Sequence, residues 1–462
     1  MHFHKSLLVL IFGCFFISGY SQNIWQAQHN SKRYVVKVNN NVVVNDTIYL
    51  SVLEQGYENI PLVIKQDGDS LSADNDSYGF KLKMLVLNNF GKSTLQPYNT
   101  TPFSLNFKKV DSVQPLYFPQ HPKKPYPYVV EDVKFNGNST GLTYGATLTL
   151  PKGKKKYPLA VLISGTGQHD RDYSYSGHHF FTVLADYLAR KGIASFRVDD
   201  RGIGETTGDF SLATTLDFAN DVSEAINYLR KRNDIDNSLL GLIGHSEGGM
   251  VASIETSRNK EVKYVISLSG VAVNGLKMLE LQNAEILKGL HKSDGLLNKH
   301  MELFNEMFQT VYDSKKDDSL ELKLEHTVGN WKQKQEKGTI EALNLHDGRD
   351  MNLIYRYART AKTNWYRYMI HYNPEEFLSK IEVPVLALNG EMDIMVLAKE
   401  NLNGFKKYLP KSTDLTTKIY PSLNHMYQHC VSCTNEEIPE LDEVFSQVVL
   451  NDIAKWIKQH NK

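Results

Sequence analysis

Gly244-His245-Ser246-Glu247-Gly248 follows the apolar run Leu239-Leu240-Gly241-Leu242-Ile243 and opens a helix-compatible segment over 250–255. A strand that turns at once into a helix forces the residue between them into a strained backbone geometry, which is tolerated when small residues sit two before and two after it. Gly244 and Gly248 occupy those places. Such a turn lifts the Ser246 hydroxyl clear of the sheet, and the free N–H groups opening the helix stabilise negative charge that develops beside it. A bare G-x-S-x-G also occurs in ordinary glycine-rich turns. The strand before it and the helix after it predict a nucleophile elbow here, and with it acyl-transfer chemistry.

A serine of this kind needs a base and an acid, and both follow in the chain. Pro384-Val385-Leu386-Ala387-Leu388-Asn389-Gly390 reads as a buried strand, and Glu391-Met392-Asp393 continues into a loop. Pro421-Ser422-Leu423-Asn424-His425 follows the next strand-like segment at 415–420. The order is Ser246, Asp393, His425, in which His425 takes the serine proton while Asp393 fixes the imidazole tautomer and stabilises its charged form. Glu391 is the rival acid; Asp393 is favoured because a carboxylate three residues past the strand end is presented toward the nucleophile. His245 adjoins the serine and cannot easily face it, so it is expected to pack against neighbouring turns. The glycine-rich turn Ser164-Gly165-Thr166-Gly167-Gln168-His169-Asp170-Arg171-Asp172 should supply the second oxyanion donor. The expected pair is the N–H groups of Glu247 and Thr166, with Gly167 as the alternate.

Around these motifs, apolar strands at 129–135, 142–150, 159–164, 193–198, 239–243, 264–268, 385–388 and 416–420 alternate with helical periodicity at 180–190 and 218–230. That rhythm predicts an α/β class with a largely parallel sheet covered on both faces. It is interrupted over 273–373, too long for a loop and expected to form a cap. Within it, 278–290 and 297–311 read as helices and 314–337 as a charged, solvent-facing stretch. Tyr355, Tyr357, Trp365, Tyr366, Tyr368 and Tyr372 either line a pocket over Ser246 or form the cap's own core; spacing does not separate the two.

Taken together, the turn at 163–172, the segment Val198-Asp199-Asp200-Arg201-Gly202-Ile203-Gly204-Glu205-Thr206-Thr207-Gly208-Asp209-Phe210 and the elbow resemble secreted bacterial α/β-hydrolases. These are the carboxylesterases near dienelactone hydrolases and the serine-aminopeptidase-like hydrolases. The resemblance covers nearly all of 126–462 and implies the α/β-hydrolase fold with a helical cap, and an esterase of short acyl chains. Its nucleophile is serine where true dienelactone hydrolases carry cysteine, so their substrate does not transfer. The charged neighbours Asp200 and Arg201, like Arg171 and Asp172, are expected to organise their loops through hydrogen bonds and partly desolvated ion pairs, not to act chemically.

Upstream, 22–113 carries alternating β-branched runs such as Tyr34-Val35-Val36-Lys37-Val38 and predicts a small all-β domain with no catalytic constellation. A proline-rich stretch at 114–127 reads as a stiff linker to a catalytic domain at 128–462. Residues 1–21 have the pattern of an export signal, basic and then a short apolar core, so the mature protein is expected to be periplasmic or extracellular. The apolar run is too short to span a bilayer, and Cys14 lies inside it, away from the place a lipidated cysteine takes. Cys430 and Cys433 then remain, as a disulfide, as free thiols, or, with His425 and His429, as zinc ligands at the expense of the base. With 52 basic and 52 acidic residues, the chain has no electrostatic bias toward nucleic acid or anionic membrane. The expected ligand is a small acyl ester, turned over without metal or organic cofactor; oligomeric state is left open. The rival readings are an aminopeptidase-like or thioester hydrolase on the same triad, a zinc-dependent hydrolase, and a non-catalytic binding protein on a hydrolase scaffold.

Overall fold

The computed structural model describes residues 22–29, 32–39, 43–53, 57–67, 70–75, 80–86, 89–97, 102–113, 118–153, 156–289, 293–315 and 319–460. The signal-like segment 1–21, with Cys14, lies outside them. The chain divides into two compact units, Met1–Leu116 and Tyr117–Lys462.

The first unit is an antiparallel meander. Ile60, Leu62 and Ile64 are buried on one face of their strand while Val63 between them is exposed, the period-two pattern that a one-sided sheet imposes. The segment Phe103–Asn106 pairs with Asn89–Pro97, and Lys108–Val110 pairs with Gln22–His29. Only Phe107 separates those two segments, so one edge of the sheet runs directly into the other and the meander closes on itself. Closure removes the free edges, and the interior is filled by side chains including Ile48, Leu50, Leu82, Leu95 and Phe107.

The second unit is built on an eight-stranded sheet in the order Val129–Asn136, Thr143–Leu150, Ala194–Val198, Tyr157–Ile163, Ile235–His245, Tyr264–Leu268, Val385–Gly390, Leu415–Tyr420. The first two strands are antiparallel to their neighbours and the rest are parallel. Parallel strands need crossovers, and helices such as Phe180–Arg190, Thr215–Leu229, Glu247–Arg258 and Ala398–Tyr408 supply them. The central strands are covered on both faces, so every residue of Tyr264–Leu268 and Val385–Gly390 is buried. Because these strands run the same way, the loops carrying Thr166, Ser246, Asp393 and His425 all leave from the carboxyl ends of the strands, on one side of the sheet.

Between Tyr264–Leu268 and Val385–Gly390 lie the helices Gly275–Lys288, Asp294–Asp313, Leu320–Gln333, Lys337–Ala342, Arg349–Ala361, Asn364–Ile370 and Pro374–Leu378. The charged stretch at 314–337 departs from expectation. Its helix Leu320–Gln333 buries Leu320, Leu324, Val328 and Trp331, a stripe at helical spacing that packs into the core while the lysines and glutamates face out. The proline-rich segment, from Phe118 on, is docked within the second unit: Phe118 is buried, and Gln120 accepts from the N–H groups of Val444 and Phe445 and donates to the Phe445 carbonyl. No helix among the described residues is long and apolar enough to cross a membrane.

Candidate active site

Ser246 stands between strand Ile235–His245 and helix Glu247–Arg258 with φ 56° and ψ −120°, a conformation that costs a non-glycine residue energy and persists because the surroundings enforce it. Its N–H is held by the Leu268 carbonyl at 2.9 Å. The flanking glycines are required sterically. A Cβ on Gly244 would meet the Gly248 carbonyl oxygen at 2.0 Å, and one on Gly248 would meet the Ile163 carbonyl oxygen at 2.2 Å.

Asp393 is buried and fully engaged. Its Oδ1 accepts from the N–H groups of Met395 and Val396 at 2.9 and 2.8 Å, and its Oδ2 accepts from Asn389 Nδ2 at 3.2 Å. His425 Nδ1 lies 2.9 and 2.8 Å from the two carboxylate oxygens. A carboxylate only accepts, so Nδ1 carries the proton and Nε2 is left as the basic nitrogen. Glu391, by contrast, is exposed. Ser246 and His425 line one cavity of about 350 Å³. Among the described contacts no hydrogen bond joins Ser246 Oγ to His425 Nε2, and in such sites without substrate this contact is often long.

Thr166 and Glu247 line the same cavity. Glu247 is the first helical residue, so its N–H has no intrahelical partner, and the Thr166 N–H makes no hydrogen bond among the described residues. Their side chains are joined as well, Thr166 Oγ1 donating to Glu247 Oε2 at 2.9 Å. Gly167, the alternate donor, has φ 110° and turns the loop back, allowing His169 Nε2 to reach the Thr166 carbonyl at 3.0 Å.

The family model described as serine aminopeptidase, S33, matches residues 160–429, more than half of the chain and all four loops of the site. The chain belongs to the S33 serine aminopeptidase family. It is an α/β-hydrolase. Esterase EstD of Thermotoga maritima is 31% identical over 113 residues, which is 24% of this chain and 27% of that esterase, so the chain spans about a quarter of its length. An uncharacterised 31.7 kDa protein from the traX-finO intergenic region of Escherichia coli is 24% identical over 259 residues, 54% of this chain and 79% of that protein. Among solved structures, the α/β-hydrolase GrgF from Penicillium is 16% identical with a TM-score of 0.45, covering 72% of this chain and 99% of that one. Ferulic acid-bound Est1E from Butyrivibrio proteoclasticus is 18% identical with a TM-score of 0.41, covering 71% and 99%.

Within this S33 hydrolase the charged neighbours pair differently from expectation. Arg201 does not bridge Asp200 but grips Asp221 with two bonds of 2.7 and 2.9 Å, while Asp200 accepts from the His169 N–H at 2.7 Å. Arg171 is joined to Asp199 and Glu205, and Asp172 to Arg197. Successive residues at a strand end point to opposite faces, so neighbours in sequence seldom meet. The loop-organising role stands; the partners are others.

His245 does more than pack. Its Nε2 faces the His425 carbonyl at 2.9 Å and its Nδ1 faces the Tyr173 hydroxyl at 3.0 Å. A carbonyl only accepts, so Nε2 carries the proton and Nδ1 accepts from Tyr173. The neutral ring thereby ties the loop of His425 to the loop that follows Thr166. Burial, and secondarily the nearby His425, lowers the His245 pKa from 6.5 to about 3. Between those values the unfolded chain binds more protons at this position than the folded protein, so stability is full above about pH 6.5 and falls as pH drops toward 3. His245→Gln keeps a donor for the His425 carbonyl and is expected to flatten that part of the acid limb, measured by chemical denaturation at stepped pH.

The six cap aromatics divide. Trp365 lines the cavity beside Ser246, while Tyr366 and Tyr372 are buried in the cap and Tyr357 reaches Tyr366 hydroxyl to hydroxyl at 2.8 Å. Tyr355 is exposed, and Tyr368 borders a separate groove of about 880 Å³ that includes none of Ser246, Asp393 and His425. The smaller cavity is the one that meets the chemistry. Sequence reading missed its apolar wall, which Met278, Met369, Met395 and Met426 supply from four different segments. Cys430 and Cys433 form a disulfide, and the loop it closes is held by Glu437, which accepts from the N–H groups of Val431, Ser432 and Cys433. Asn435 and Ile438, just after that loop, complete the cavity wall. Among the described residues no group of three His, Cys, Asp or Glu is arranged to hold a metal ion.

Proposed function

We propose that this protein is an exported serine hydrolase that cleaves carboxylic esters through an acyl-enzyme. The observation that carries the reading is the bidentate contact of His425 Nδ1 with buried Asp393, on the cavity that also holds Ser246 at a strained strand-to-helix turn. Ser246 Oγ attacks the ester carbonyl carbon as its proton passes to His425 Nε2. The carbonyl oxygen becomes an oxyanion facing the N–H groups of Glu247 and Thr166, and Asp393 stabilises the imidazolium. Collapse expels the alkoxide, which takes the proton from His425 and leaves the acyl group on Ser246. Water, deprotonated by His425, then attacks the acyl carbon and the same sequence returns serine and a carboxylic acid. Two-step chemistry of this kind gives a rapid first turnover. Stopped-flow mixing with p-nitrophenyl butyrate is expected to release a burst of p-nitrophenol close to one equivalent per protein before the steady rate; slow deacylation makes the burst visible, and an acyl-serine adduct after acid quench checks the intermediate independently.

Export is supported by the signal-like segment 1–21, and by the disulfide, which persists in oxidising compartments. Expression in a bacterial host followed by amino-terminal sequencing is expected to find the mature chain beginning at Gln22, in the periplasmic or secreted fraction. An intact Met1 in the cytosolic fraction overturns export. The same triad can serve a thioester or a peptide end, and what separates these is the lining of the cavity.

A further inference from the structure

On the esterase reading just given, we infer that the site selects uncharged, apolar acyl groups, and that Glu247 is a latch between the oxyanion loop and the cap, not an anchor for a substrate ammonium. Val271, Met278, Leu279, Met369, Met395 and Ile438 line the cavity beside neutral polar groups such as Gln282 and Asn435; among the described residues that line it there is no lysine, arginine or aspartate, and Glu247 is the sole carboxylate. An aminopeptidase-like site must hold a free α-ammonium, and burying that charge without an ionic partner is prohibitive. Glu247 stands at the right place but is already occupied. Its Oε1 accepts from Thr215 Oγ1 at 2.7 Å and from Trp365 Nε1 at 2.9 Å, and its Oε2 accepts from Thr166 Oγ1 at 2.9 Å.

Those three donors come from three separate parts of the fold. Thr166 lies on the oxyanion loop, Thr215 opens helix Thr215–Leu229, and Trp365 sits on cap helix Asn364–Ile370. One buried carboxyl group therefore fixes the oxyanion loop against the sheet side and holds the cap helix, with Met369, over the cavity. Burial raises the Glu247 pKa, the direction expected where every donor is neutral. The latch needs hydrogen-bond geometry and no net charge. A glutamine reproduces it, with Oε1 accepting from Thr215 and Trp365 and Nε2 donating to the Thr166 hydroxyl.

The test uses the purified full chain with p-nitrophenyl butyrate and p-nitrophenyl 2-aminobutyrate, which differ by the ammonium, each rate divided by its rate of hydroxide hydrolysis. The expected kcat/KM is at least about 100-fold lower for the ammonium ester, since an unpaired polar or charged group in such a pocket costs several kcal/mol. Glu247→Ala is expected to lose about 10-fold or more in kcat for the butyrate through the released loop and cap, and Glu247→Gln, which can remake the three hydrogen bonds, to recover most of that loss and to keep the discrimination. Equal or faster cleavage of the ammonium ester, abolished by Glu247→Gln, makes Glu247 an ammonium anchor and overturns the inference. Binding to Ser246→Ala, read as the thermal shift given by ethyl butyrate against ethyl 2-aminobutyrate, does not depend on turnover. A failure of the chemistry is thus distinguishable from a failure of the selection: stabilisation by the neutral ester alone supports the selection, and equal stabilisation by both overturns it.

Discussion

Ser246→Ala is expected to remove ester turnover, lowering kcat by about 10⁵- to 10⁶-fold, because no other hydroxyl takes the place of the nucleophile and the triad acts as a unit. What survives is the contribution of the oxyanion donors and of substrate binding, roughly 10³-fold over the uncatalysed rate in water. KM should move little, since apolar side chains such as Met278, Leu279 and Met369 supply most of the cavity wall and the serine hydroxyl is one small group on it. The fold should change little: at φ 56° neither serine nor alanine is at ease, and the variant removes one hydroxyl that borders an existing cavity. Steady-state hydrolysis of p-nitrophenyl butyrate, together with a thermal melt, reads both effects. Unchanged turnover in the folded variant removes the serine from the chemistry.

Asp393→Asn should cost about 10⁴-fold in kcat with the folded structure preserved. The carboxylate now accepts from the backbone at Met395 and Val396 through Oδ1, and an asparagine oxygen can keep those bonds. Its amide nitrogen would then donate where the carboxylate oxygen now accepts. Facing a donor, His425 must present an unprotonated Nδ1, which leaves the proton on Nε2, where the serine proton has to go. The loss is therefore one of tautomer, not of position. Raising the pH does not restore it, because deprotonating neutral imidazole lies far outside the accessible range; a pH–rate profile that stays flat and low up to about pH 9 is the expected signature, and recovery of most of the rate at high pH contradicts it.

Much of the fold was legible because it is written locally. Buried parallel strands such as Tyr264–Leu268 are apolar throughout, and the elbow requires glycines that can be read directly off the sequence. That Asp393 and His425 meet was legible because each lies a short reach past a strand end, so chain order indicated which loops come together. Other features depend on distant contacts that leave no local trace. Trp365 reaches Glu247 across 118 positions, and nothing in its neighbourhood says which way the indole N–H points. The stripe Leu320, Leu324, Val328, Trp331 was hidden by the lysines and glutamates interleaved with it, although its spacing is helical. Closure of the first unit depends on pairing between the two ends of its chain segment, which alternation within single strands cannot reveal. The sequence shows His245 as a packing residue because it gives the neighbours of the ring but not the two hydrogen bonds that make it a tie between loops.

The proposed catalysis stands on Ser246 being an activated nucleophile. Its most direct test is to treat the folded, mature protein with a fluorophosphonate probe and map the adduct by peptide mass spectrometry. A single phosphonylated residue, Ser246, is expected, with labelling slowed by at least about 10³-fold in His425→Ala, where the base is gone. No adduct in folded protein, or an adduct at another residue, contradicts it.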